Sequence, residues 1–168
     1  LEIGCGWGGF AEIAAKEFGA RVTAITVSRE QLAFAQARIQ KAGLVDRVEA
    51  RFVDYRDVRE RFDKVASIEM FEAVGERHWP TYFGKIRDCL EPGGRAALQI
   101  ITIADKWFDS YRRGVDFIQR YIFPGGMLPS MAALRHQVDR AGLALDRTEF
   151  YGQHYARTLA EWNRRFQA

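Results

Sequence analysis

The chain has 168 residues, 48% of them hydrophobic, enough for one well-filled domain and too few for two ordinary ones. Its formal charge of +3 is too small to point to a nucleic-acid surface, and no run of about 18 apolar residues exists to span a bilayer. Cys5 and Cys89 make no disulfide framework and the three histidines have no ligand spacing, so no metal is expected and both thiols read as buried in a reducing compartment.

The chain opens on Leu1-Glu2-Ile3-Gly4-Cys5-Gly6-Trp7-Gly8-Gly9, an apolar strand end running into a glycine-rich turn. Glycines at 4, 6 and 8 accept backbone angles closed to other residues and let a ligand press against bare peptide. Phe10, Ile13 and Ala14 start a helix that runs to about Phe18, and its N–H groups point at whatever the turn holds. Taken alone, such a turn is equally an ordinary strand-to-helix connection. The next strand, Arg21 to Thr26, ends without the acid that a dinucleotide-binding fold places there for a ribose, and the acid is Glu2, inside the motif.

Ser28 caps a helix with Gln31 in its first turn, which runs to Ala42 and stops at Gly43. Val48 to Val53 predicts a third strand, ending at Asp54-Tyr55-Arg56-Asp57, and Val65 to Ile68 a fourth, ending at Glu69-Met70-Phe71-Glu72. A helix from about His78 to Leu90 leads through the turn Glu91-Pro92-Gly93-Gly94 into a strand from Ala96 to Ile103. This alternation predicts a parallel sheet with right-handed crossovers, and ligands at the carboxyl ends of its strands.

Residues 104–130 break the alternation and combine Trp107, Phe108, Tyr111, Phe117, Tyr121 and Phe123 with Arg112, Arg113 and Arg120. This inserted segment covers something: it reads as a lid over the core or as a nucleic-acid surface, the latter disfavoured by the small charge. Basic and acidic residues balance over 1–104, so the whole positive excess lies in 105–168. A helix from Met131 to Ala141 and a strand from Leu143 to Tyr151 follow.

Glu-x-Gly-x-Gly at Glu2–Gly6 resembles motif I of class I S-adenosylmethionine (SAM) methyltransferases. Further blocks are Thr26-Val27-Ser28-Arg29-Glu30-Gln31, Asp54-Tyr55-Arg56-Asp57, Ser67 to Gly75 with Met70-Phe71-Glu72, Tyr121-Ile122-Phe123-Pro124-Gly125-Gly126 and Tyr155 to Trp162. With them the chain resembles, over nearly its whole length, the cyclopropane-fatty-acid-phospholipid synthases and the related mycolic acid methyltransferases. The first block is shared by many methyltransferases, whereas Met-Phe-Glu and Tyr-Ile-Phe-Pro-Gly-Gly are specific. The resemblance implies a single α/β domain over 1–168, a Rossmann-like class I sheet with helices on both faces, truncated at both ends, with an aromatic insertion after the fifth strand. It also implies an absent N-terminal substrate segment carrying an anion-holding cysteine, which Cys5 is not, and an absent closing pair of strands.

By the same resemblance Glu2, Gly4, Gly6 and Gly8 hold the methionine end of SAM, Thr26, Val27 and Gln31 meet its ribose and carboxylate region, and Asp54 with Tyr55 frames the adenine. The implied reaction is attack of an acyl-chain double bond on the sulfonium methyl, leaving a carbocation from which a bound bicarbonate removes a proton. Glu72, Tyr155 and the backbone at Ile101 would hold that bicarbonate, with Gln99 standing where many members have histidine. Glutamine donates a hydrogen bond but carries no charge, so the cation can instead end as a methylene or methyl branch.

Plainer readings stand beside these roles: Glu72 as an acid at a helix N-terminus, Tyr155 as a core aromatic, Thr26 and Gln31 as cap chemistry. By the resemblance the segment 104–130 is an acyl-chain tunnel with basic residues near a phospholipid headgroup, and the implied partner is an unsaturated phospholipid acyl chain met at a membrane surface, with a homodimer allowed, no nucleic acid, and a cytoplasmic location at the inner membrane face. A small-molecule SAM methyltransferase and a non-catalytic SAM-fold binding module are the competing functions.

Overall fold

The computed structural model describes residues 1–168. Five strands, β1 (Glu2–Ile3), β2 (Val22–Thr26), β3 (Val48–Phe52), β4 (Phe62–Ile68) and β5 (Leu90–Gln99), form one sheet in the order β3-β2-β1-β4-β5. Every pairing is parallel, so all five strands deliver their carboxyl ends to the same edge. The order reverses at β1, which lies between β2 and β4, and there the crossovers leave a crevice between diverging connections.

Helices cover both faces, as the alternation predicts. On one face α1 (Gly9–Phe18) and α2 (Arg29–Lys41) bury Ala11, Ala15 and Ile39 with Val22, Ala24 and Val48. On the other, α3 (Trp79–Asp88) and α5 (Met131–Arg140) close over Ile3, Ile25 and Val65 with Phe71, Trp79, Tyr82, Phe83 and Leu134. Phe71 sits at the centre of that aromatic group, with ring centroids 5.0–5.3 Å from Tyr82, Trp79 and Phe83. Two more helices, α4 (Asp105–Arg113) and α6 (Gly152–Phe166), complete the chain.

Local signals place most boundaries. The Ser28 hydroxyl accepts from the Gln31 N–H at 3.2 Å, Gly43 turns left-handed after α2, and Cys5 and Cys89 are buried thiols. Three expectations fail. The predicted turn Glu91–Gly94 lies inside β5, where the register jumps from Phe62 opposite Leu90 to Lys64 opposite Arg95. The extra residues bulge out of the ladder at Gly93, φ +81°, so a turn composition is accommodated without ending the strand. The predicted strand Leu143–Tyr151 does not form. Residues 145–150 make no backbone hydrogen bond: they line a cavity of about 520 Å³ opposite the end of β5, the outermost strand on that side, and meet that strand through the Arg95–Asp146 ion pair at 3.3 Å. Alternating side chains alone do not make a strand without a ladder to join.

At its other end β5 stops at Gln99 rather than Ile103. The chain swings out to bond Ile103 N–H to Pro129 O at 3.0 Å, which places the inserted segment over the carboxyl end of the sheet.

Candidate active site

The glycine turn after β1 is pinned by two bonds, from the N–H groups of Gly4 (3.0 Å) and Cys5 (2.9 Å) to the carbonyl of Ile25 on β2. The three glycines then differ in purpose. A β-carbon on Gly4 would stand 2.6 Å from Met70 Cγ, and one on Gly8 would stand 3.0 Å from Ala35 Cβ, so both are small for packing. Gly6 has φ +52° and nothing within 4 Å of where a β-carbon would be. It is the glycine that faces open space, just before the N-terminus of α1, as a loop that holds a ligand requires. Trp7 leans away from it onto Phe34 of α2, ring centroids 5.3 Å apart.

Beneath the turn Glu2 is 3% exposed, and its Oε2 has no partner. Burial raises its pKa from the ordinary carboxylate range to about 7, and burial together with Glu2 raises the Cys5 thiol to about 11. An orphaned buried acceptor at the root of the loop, an open glycine and a helix N-terminus together fit the amino-acid end of SAM.

At the end of β2 the buried Thr26 hydroxyl donates to Gln31 Oε1 at 2.8 Å and accepts from Ser28 N–H at 3.1 Å. Both residues therefore serve the helix cap, while the Gln31 amide N–H groups keep no protein partner. Val27 beside them is exposed. At the end of β3 the Asp54 carboxylate is held by Arg56 through its backbone N–H, Nε and Nη2 (2.9, 2.9 and 2.6 Å), and the side-chain bonds lower its pKa. Tyr55 turns the other way, its ring edge-on to Tyr82 at 5.4 Å. Asp54 and Tyr55, adjacent in sequence, thus point to different surroundings.

The ends of β4 and β5 carry the second half of the site. Because β5 leaves the ladder at Gln99, the Ile101 N–H is free, and it donates to Glu72 Oε1 at 2.6 Å. Glu72 Oε2 is buried without a partner, and burial raises the Glu72 pKa against the pull of that N–H. The Glu72 carbonyl accepts from Met127 N–H at 2.8 Å, so the segment after Tyr-Ile-Phe-Pro-Gly-Gly is seated directly on the Met-Phe-Glu turn.

Alongside, Gln99 Nε2 donates to Glu69 Oε1 at 2.9 Å, and the Tyr155 hydroxyl, from the first turn of α6, donates to Glu69 Oε2 at 3.4 Å. Glu69 lies inside the matched Ser67–Gly75 block, yet the resemblance gives it no role. Its signal is conformational: it is the one non-glycine residue with positive φ, +50°. Glu69, Gln99, Ile101 and Tyr155 all stand on the wall of the 520 Å³ cavity, whose remaining lining is largely apolar and includes Leu98, Ile100, Leu134 and Phe150. That cavity lies on the β5 side and is not bordered by the glycine turn.

The inserted segment divides by residue. Phe108 stacks on Trp79 at 6.3 Å and the Tyr111 hydroxyl accepts from Leu128 N–H at 3.3 Å, so these two cover the core. Trp107, Phe117, Tyr121 and Phe123 are exposed. Of its arginines, Arg112 pairs with Glu76 at 2.7 Å and Arg120 lies over the Tyr121 ring at 5.5 Å.

The family description "mycolic acid cyclopropane synthetase" matches residues 1–168. The chain belongs to that family. It is similar to the tuberculostearic acid methyltransferase of Mycobacterium tuberculosis, 42% identical over 99% of this chain and 39% of the relative. It is also similar to the cyclopropane-fatty-acyl-phospholipid synthase of Escherichia coli K12, 36% identical over 100% of this chain and 42% of the relative. Among solved structures, the cyclopropane synthase MmaA2 from Mycobacterium tuberculosis superposes with a TM-score of 0.87 at 26% identity, covering 99% of this chain and 62% of that one. A mycolic acid cyclopropane synthase complexed with SAH gives the same figures. This member of the family spans about two fifths of the length of the curated relatives it matches, and it has the class I SAM methyltransferase fold. No helix is long and apolar enough to cross a membrane.

Proposed function

We propose that the protein containing this chain transfers a methyl group from SAM to a double bond in an unsaturated phospholipid acyl chain and closes the product to a cyclopropane. One observation carries the reading. Two carboxylates, Glu72 anchored on the Ile101 N–H and Glu69 held by Gln99 and Tyr155, stand at the ends of β4 and β5, on the same sheet edge as the glycine turn. An unsupported alkene is a poor nucleophile and leaves a cation when it reacts. A carboxylate about 4 Å from that cation is worth about 4 kcal/mol at an effective dielectric near 20.

SAM, when bound, supplies the electrophilic methyl. The chain's residues do the rest: Gly6 leaves room for the cofactor, the N-terminus of α1 faces it, and the apolar wall of Leu98, Ile100 and Leu134 favours a reactant that reacts through carbon and keeps water from the cation. The exposed Trp107, Phe117, Tyr121 and Phe123 support contact with a lipid surface, where amphipathic rings gain most.

A second reading, a methylene- or methyl-branched product, has its own support: Gln99 is neutral, and the relative at 42% identity is a tuberculostearic acid methyltransferase. The test is full-length protein with methyl-labelled SAM and vesicles of monounsaturated or fully saturated phospholipid. Label is expected in the acyl chains of the unsaturated vesicles alone, and chromatography of the methyl esters separates ring from branch. Label in neither lipid would overturn the function.

A further inference from the structure

We propose that the carboxylate of Glu69 occupies the place that the family resemblance gives to bicarbonate, and that it is the proton acceptor of this site. The inference rests on the function proposed above and departs from it in one component. The donors allotted to a bound anion are the Tyr155 hydroxyl, the side chain at 99 and the Ile101 N–H. All three are already engaged by carboxylates of the chain: Gln99 at 2.9 Å and Tyr155 at 3.4 Å by Glu69, Ile101 N–H at 2.6 Å by Glu72. An added bicarbonate would have to displace the Glu69 carboxylate from both Gln99 and Tyr155 and would then lie against its like charge. The residues present do not fit it.

They fit Glu69 instead. A side chain with a β-carbon is disfavoured at φ +50°, and such strain persists where the surroundings hold it in place. Here the holding is visible: Glu69 N–H donates to the Gln99 carbonyl at 2.9 Å while the Gln99 amide grips the Glu69 carboxylate, so main chain and side chain of one residue fix both ends of the other. A neutral amide orients that carboxylate without supplying the positive charge that would weaken it as a base. The two acids then have different environments and different work. Glu72 is half-buried, with Oε1 committed to the backbone and Oε2 enclosed, whereas Glu69 is exposed on the cavity wall, where a proton taken from substrate can leave to water.

The step balances without another reactant. After methyl transfer the substrate carries one positive charge. Glu69 takes a proton from the new methyl carbon, and the C–H electron pair closes the third carbon–carbon bond of the ring. A neutral product and a protonated Glu69 result, and the acid then loses its proton to solvent.

The experiment uses the full-length protein in buffer stripped of carbon dioxide, with and without added bicarbonate. Wild-type turnover on monounsaturated vesicles is expected to be unchanged by bicarbonate, and Glu69→Gln is expected to lose on the order of a hundredfold or more. Glu69→Gly, which removes the left-handed strain and so folds, is expected to regain turnover on adding bicarbonate and to show a bicarbonate-dependent rise in Tm that the wild type lacks. Wild-type turnover that needs bicarbonate, a wild-type Tm that rises with it, or a Glu69→Gln variant that keeps most of its rate would each overturn the proposal. The Tm comparison needs no lipid. If no lipid is labelled by any form, the acyl-chain reading and with it the proton-acceptor step fail, while the Tm comparison still decides whether Glu69 holds the anion's place.

Discussion

The Ile101 N–H donates to Glu72 Oε1 at 2.6 Å because β5 gives up its ladder two residues earlier, at Gln99. A strand that ran on to Ile103 would have spent that donor on a neighbouring strand. Ending it early converts a structural hydrogen bond into one that orients a carboxylate at the sheet edge, where ligands of parallel sheets bind.

Replacing that carboxylate tests its assignment. In the full-length protein Glu72→Gln is expected to lower kcat on the order of a hundredfold and to leave SAM affinity within about threefold, since Glu72 meets the far half of the site from the glycine turn. Steady-state kinetics beside calorimetric SAM titration reads both. A loss confined to the KM for SAM would move Glu72 into the cofactor site.

The glycines of the turn separate by what they touch. Gly6→Val is expected to abolish SAM binding in calorimetry with a modest loss of stability, about 1–2 kcal/mol for a left-handed residue with a side chain, because only the cofactor's space is filled. Gly4→Ala drives a β-carbon into Met70 and is expected to cost more, about 2–4 kcal/mol in chemical denaturation. Equal stability losses would contradict this division.

Glu2 sets a pH dependence for the SAM-free protein. Its folded pKa, about 7, lies above the ordinary value near 4.5, so the folded state binds the proton more tightly. The stability Glu2 contributes is fully present below about pH 4.5 and is lost as pH rises through about 7, on the order of 3 kcal/mol in all. Denaturation midpoints across pH 4.5–8 are expected to fall in the wild type and to fall less in Glu2→Gln. Parallel curves would mean that Glu2 titrates alike folded and unfolded.

Residues 145–150 have no backbone hydrogen bonds, whereas β2 is paired on both sides. Their amides are expected to exchange with deuterium at close to free-peptide rates in this 168-residue chain, while those of Val22–Thr26 remain protected. Slow exchange at 145–150 would mean a ladder partner exists.

Much of the architecture is legible residue by residue. The cap at Ser28, the stop at Gly43, the glycine turn and the strand–helix alternation are local: each depends on a few neighbouring residues whose backbone preferences hold wherever the segment lies. They determine a parallel α/β sheet and an edge at which Gly6, Gln31, Glu72 and Gln99 are candidates. Tertiary structure alone decided the rest. Leu143–Tyr151 has the side chains of a strand, yet its residues 145–150 pair with no ladder, a fact about tertiary placement and not about that segment. Glu69 meets Gln99 and Tyr155 from 30 and 86 residues away, and only the adjacency of β4 and β5 and the docking of α6 bring the three together. Local preference is written in the chain because it needs only neighbours in sequence; which carboxylate a donor finds depends on strand order, and that is settled by packing the whole sheet.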